Sequence, residues 1–82
     1  MELTLYGSQD CGLCDDALVL LQAHPLWPSF QVAKVDIYRD KSLLVQYKTR
    51  IPVLEHVPTR SKLYWPFDEQ GLSVWIQTLQ KI

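Results

Sequence analysis

From Glu2 to Tyr6 polar and apolar residues alternate, which puts Leu3 and Leu5 on one side and predicts a strand. A loop, Gly7-Ser8-Gln9-Asp10, follows. From Cys11 the period changes: Leu13, Ala17, Leu20 and Leu21 recur at helical spacing, and Leu18 and Val19 widen the stripe until it almost surrounds the helix. Such a helix is expected to pack on more than one side. His24-Pro25 ends it, because the residue before a proline avoids the helical region. Leu26-Trp27-Pro28-Ser29 reads as a loop.

Phe30 to Ile37 is rich in β-branched residues and bounded by turn residues, so it predicts a second strand. Asp40 is a candidate cap for a short helix through Tyr47, with Leu43, Leu44 and Tyr47 on its buried side. Pro52 to Val57 predicts a third strand, opened by a proline at a position strands tolerate. The turn Pro58-Thr59-Arg60 joins it to a fourth strand, Ser61 to Trp65, as an antiparallel hairpin. Asp68 then caps a last helix running to the C-terminus, with Leu72, Trp75, Ile76, Leu79 and Ile82 on one face. The order β-α-β-α-β-β-α predicts an α/β fold: a mixed four-stranded sheet flanked by three helices, its first two strands parallel across a helical crossover. The expected domain is a single one over 1–82.

Composition bounds what this fold does. The chain has 82 residues, 48% of them hydrophobic, which suits one small core and excludes disorder. A net charge of −1 argues against nucleic acid as a partner. No apolar run approaches the ~18–20 residues a bilayer needs, and no leader is visible, so no membrane is expected and the cytoplasm is the expected compartment. Charge is uneven: residues 1–40 carry two basic and six acidic side chains, residues 41–82 six basic and three acidic. Solvated faces account for this. The protein is expected to be a monomer.

The two cysteines, Cys11 and Cys14, are three positions apart. A bond between them closes a tiny loop and constrains little of the unfolded chain, so their value lies in chemistry. They sit where a strand hands over to a helix, the setting that turns a CxxC into a redox pair. Free N–H groups and the positive end of the helix dipole favour a thiolate at Cys11. Cys14 lies one turn on, within reach. Cys11 attacks a substrate disulfide, and Cys14 then attacks Cys11 and releases the reduced substrate. Gly12 leaves room for a partner's backbone beside the sulfur. Asp10, Asp15 and Asp16 oppose the thiolate, so Cys11 is expected to be only modestly acidic and the pair reducing. A zinc site recruiting His24 and His56 lacks finger spacing, and no metal is expected. His24 reads as a residue of the helix end, and His56 as a surface residue of a strand end.

A second signal, Arg50-Ile51-Pro52-Val53, opens the third strand. Together with the CxxC at a helix start, the closing hairpin and the last helix, it resembles the thioredoxin superfamily, and the length resembles its small glutaredoxin-like branch. The resemblance implies a thioredoxin-like fold in which Pro52 is cis and lies across from the cysteines. It implies that the backbone of Ile51 is free to pair with an extended substrate strand. It implies a contact from Arg50 to a glutathione carboxylate, and a match of Asp68 to the family's acidic position. Glutathione is then a co-substrate, and no cofactor is bound. The chain departs from glutaredoxins in having Cys-Gly-Leu-Cys for Cys-Pro-Tyr-Cys, and in having Tyr64-Trp65-Pro66-Phe67 where a Gly-Gly turn is usual. Trp65 and Phe67 are candidates for an apolar rim beside the site.

Two functions follow. One is a thiol–disulfide oxidoreductase with Cys11 as nucleophile and Cys14 as resolving thiol. Its partners are a disulfide-containing protein or a glutathione mixed disulfide, and a reducing partner. The other is a non-catalytic binding module whose cysteine pair is a redox switch.

Overall fold

The strand that Leu3 and Leu5 predict, β1 (Glu2–Gly7), lies inside the sheet. A computed structural model describes residues 1–79. After β1 come α1 (Gly12–Ala23), β2 (Gln31–Asp36), α2 (Lys41–Tyr47), β3 (Val53–His56), β4 (Lys62–Tyr64) and α3 (Glu69–Leu79). The sheet order is β2-β1-β3-β4, with β1–β2 parallel and the other two pairings antiparallel. The fold is α/β with a mixed four-stranded sheet, as the element order predicts.

The period of two sorts each strand's residues onto two faces. Leu3, Leu5 and Leu54 bury against Ala17 and Leu21 of α1 and Leu72, Trp75 and Ile76 of α3. Val53 buries on the other face with Ile37 and Tyr47, where Tyr6, Leu43, Leu44 and Ile51 pack around it. Asp40 caps α2 as expected: its Oδ1 accepts from the N–H of Ser42 at 2.9 Å. Those hydrogen bonds, with the Ser42 hydroxyl first, hold its carboxyl below the ordinary 3.8.

Several expectations are corrected. α1 is buried along one side only, through Cys14, Ala17 and Leu21, while Leu13 and Val19 are 49% and 61% exposed. Only α3 shares its face of the sheet, so its outer flank stays open. His56 is buried, at 8% exposure, because it pairs with Leu3 of the central strand, and its Nδ1 lies 2.7 Å from Thr59 Oγ1. β3 and β4 are shorter than their apolar runs. The loop at Leu26–Ser29 contains a 3-10 turn, Trp27–Ser29, and a second such turn, Ile37–Arg39, follows β2. Ile82, assigned to the last helix's apolar face, lies outside the described residues.

His24 is structural, as expected of a helix end. Its Nδ1 accepts from the N–H of Leu26 at 3.1 Å. That leaves the proton of the neutral ring on Nε2, 3.2 Å from Ser73 Oγ, which ties the end of α1 to α3.

Candidate active site

Cys11 is the N-cap of α1, with an extended backbone. Its Sγ accepts from the N–H of Cys14 at 3.0 Å, so the sulfur occupies the place a serine or aspartate oxygen takes at other helix starts. Cys11 and Cys14 are joined as a disulfide, with Cα atoms 5.2 Å apart. Cys11 is half-buried and Cys14 buried. The Cys11 side of the pair therefore lies nearer the surface and Cys14 behind it. Gly12 is exposed, and a Cβ built on it meets nothing within 4 Å, so the space beside Cys11 is open.

Gly7, expected in the loop, is the last residue of β1 and packs against the pair. A Cβ on this residue would lie 2.8 Å from Cys14 Sγ. A glycine ending a strand just before the CxxC loop was the available signal, since strand glycines mark close approaches. The register of β1 and β3 pairs Tyr6 with Val53. Pro52 directly precedes the end of that ladder, as Gly7 directly follows it.

The Ile51–Pro52 peptide bond is cis, as is Trp65–Pro66, and Pro52 is fully buried. Ile51 differs from the expectation of a free backbone. Its N–H donates at 3.2 Å to the carbonyl of Tyr47, the last residue of α2. Arg50 is exposed, with its guanidinium carbon 5.3 Å from the centre of the Tyr64 ring. Asp68 is the cap of α3: its Oδ1 accepts from the N–H of Gly71 at 2.8 Å. Trp65 and Phe67 pack edge to face, with centroids 5.0 Å apart, and both lie against the core shared with α1 and α3. The backbone N–H of Trp65 donates to the Pro52 carbonyl at 3.3 Å, which fastens this segment to the proline loop.

Two further features had no local signal. On the α2 face, Tyr6 stacks on Tyr47 and donates to Oε1 of the buried Glu55 at 2.6 Å. Burial, and then the bond to Glu55, push the Tyr6 phenol well above its ordinary 10.0. Arg60, in the left-handed region at φ 62°, reaches Glu55 Oε2 at 3.8 Å. Lys62 pairs with Glu55 across the hairpin, and contact with Tyr47 holds its ammonium above the ordinary lysine range. The second feature is a groove of about 700 Å³ beside Cys14, between α1, the end of β2 and the start of α2. Among the described residues no three metal-binding side chains converge.

Fold and site together define a thioredoxin-fold domain with a closely paired CxxC at a helix start. The family described as Glutaredoxin-like domain (DUF836) matches residues 2–77, and the chain belongs to it. A structural genomics target protein from X. campestris is similar over most of both chains. Its solution structure is 39% identical, with a TM-score of 0.78 over 95% of each chain. Its crystal structure is 37% identical, with a TM-score of 0.74 over 93% of this chain and 96% of that one. Thioredoxin 1 from Thermosipho africanus TCF52B shares the fold at 12% identity, with a TM-score of 0.63 over 99% of this chain and 100% of that one. No curated protein matches the chain significantly.

Proposed function

We propose that the protein is a thiol–disulfide oxidoreductase with Cys11 as nucleophile and Cys14 as resolving thiol. The observation that carries this is the N–H of Cys14 donating to Cys11 Sγ at 3.0 Å, at the first turn of α1. That donor and the helix dipole stabilise negative charge on the one sulfur of the pair nearer the surface. The Cys11 thiolate attacks a substrate disulfide, forms a mixed disulfide and expels a substrate thiolate. Cys14 loses its proton to solvent and attacks Cys11 Sγ, and the second substrate sulfur leaves. The substrate gains two electrons and the pair closes.

Several parts support a protein or glutathione mixed disulfide as substrate: the open space at Gly12, the Ile51 carbonyl and the exposed Arg50. Glutathione or a reductase supplies the electrons, and the cytoplasm, where thiols are kept reduced, is the setting.

The test is reduction of a peptide–glutathione mixed disulfide by wild type, Cys11→Ser and Cys14→Ser with glutathione as donor. Wild type turns over, Cys11→Ser does not, and Cys14→Ser accumulates a covalent adduct on Cys11. Equal rates for wild type and Cys11→Ser refute the mechanism. A disulfide that no donor opens assigns the chain to the other reading, a binding module with a redox switch.

A further inference from the structure

The outer edge of the sheet at β4 has no part in that reading. In the order β2-β1-β3-β4 this strand has β3 on one side and no strand on the other. Along an antiparallel pair, successive residues turn their backbone groups toward the neighbour and away from it by turns. The backbone N–H of His56 donates to the Ser61 carbonyl at 2.8 Å, and that of Trp65 to the Pro52 carbonyl at 3.3 Å. Ser61 and Trp65 therefore face β3, and Lys62 and Tyr64 turn their N–H and carbonyl groups outward. Among the described residues no loop or side chain hydrogen-bonds to these outward groups.

The same edge is positively charged on one face. Lys62 pairs with Glu55 and Tyr64 with Val53, which puts both on the α2 side of the sheet. Lys62 Nζ lies 5.4 Å from the centre of the Tyr47 ring, and the exposed Arg50 stands over the Tyr64 ring. Arg60 reaches this face at Glu55. From residue 41 to residue 67 the chain has five lysines and arginines and a single acid, Glu55. That acid is buried and already engaged by Tyr6 and Arg60. Among the described residues neither Arg50 nor Lys62 makes an ion pair. On the other face the alternate residues Leu63 and Trp65 are partly buried and apolar.

We propose that β4 takes an acidic, extended segment of a partner protein as a further strand of the sheet. The backbone of Lys62 and Tyr64 pairs with the segment. Its acidic side chains lie beside Lys62 and Arg50, and the alternate apolar ones beside Leu63 and Trp65. A lysine on an edge strand guards against pairing with another copy. Here a second copy set edge to edge brings Arg50, Arg60 and Lys62 of both chains onto one strip, where like charges repel. The same side chains attract a strand of opposite charge, so the edge rejects its own kind and accepts an acidic one. Nucleic acid shares the negative charge but offers no row of peptide groups to pair with this edge. The surface makes no use of the cysteines, so its failure and that of the oxidoreductase reading are distinguishable.

The experiment titrates the isotope-labelled protein, followed by NMR, with a peptide of alternating glutamate and valine, and with the same peptide carrying lysine for glutamate. The acidic peptide is expected to shift the amides of Lys62 and Tyr64 and to slow hydrogen exchange at both; the lysine peptide is expected not to bind. This comparison needs no variant of the protein. Arg50→Gln/Lys62→Gln, which removes two exposed ion pairs, is expected to weaken the acidic peptide roughly threefold to tenfold. No binding, or equal binding of the two peptides, overturns the proposal. Shifts without slowed exchange at Lys62 and Tyr64 overturn the added strand. Tighter binding of a thymidine oligonucleotide than of the acidic peptide overturns the choice of partner.

Discussion

Gly7 and Cys14 fit together through a missing side chain: a methyl group on Gly7 would meet Cys14 Sγ at 2.8 Å and its Cβ at 3.4 Å. Real side-chain carbons do not tolerate the first distance, so Gly7→Ala forces the strand end or the helix start to move. Overpacking of this kind costs about 1–3 kcal/mol. Guanidinium unfolding of the oxidised protein is expected to show that loss for Gly7→Ala. Gly12→Ala, where nothing stands within 4 Å, is expected to match wild type.

Asp68 separates a structural role from a substrate role. As the cap of α3 it is replaceable by asparagine, which caps equally well, whereas Asp68→Ala loses about 1 kcal/mol. The expected result is a lower unfolding midpoint for Asp68→Ala, a wild-type midpoint for Asp68→Asn, and an unchanged KM for glutathione in both. A raised KM in Asp68→Asn identifies a ligand contact made by the charge.

The Tyr6–Glu55 bond makes stability depend on alkaline pH. Tyr6 keeps its proton in the fold where an unfolded tyrosine, with its ordinary value of 10.0, has lost it. Above that pH the unfolded chain binds fewer protons than the folded one, so stability falls as pH rises. Tyr6→Phe is expected to flatten this decline and, at pH 7, to cost about 1.5–3 kcal/mol, since Glu55 loses a donor to a charged acceptor. Thermal unfolding between pH 7 and 11 measures both.

The carboxylates near the pair in sequence are expected to oppose a thiolate at Cys11. In a Cys14→Ser background, Asp15→Asn is expected to move the midpoint of iodoacetamide alkylation down by a few tenths of a pH unit. An exposed charge contributes about 0.2–1 kcal/mol, and a full unit corresponds to about 1.36 kcal/mol. A change above one unit means that Asp15 is far less screened than its exposure implies.

The elements whose apolar period runs long were legible in the sequence. Leu3 and Leu5 mark β1, Asp40 marks the start of α2, and the strand-to-helix step at Cys11 locates the cysteine pair. What was not legible depends on partners distant in sequence. His56 reads as a strand-end surface residue until Leu3 is set beside it. Glu55 reads as a solvated charge until Tyr6, 49 residues earlier, donates to it. The stripe of α1 overstates its burial, because periodicity reports which residues are apolar and not how many neighbours the fold supplies. The charged lining of the groove comes from three separate segments, none of which carries a motif.

The position of β1 has a consequence for synthesis. β1 is synthesised before both of its neighbours, and in the finished sheet it is flanked by β2 on one side and β3 on the other. β2 is complete at Asp36, but β3 ends only at His56. At about 5–20 residues per second, one edge of β1 waits roughly 1–4 s for its neighbour. During that interval the nascent chain displays an unpaired edge of β1 together with both cysteines, until β3 pairs with it.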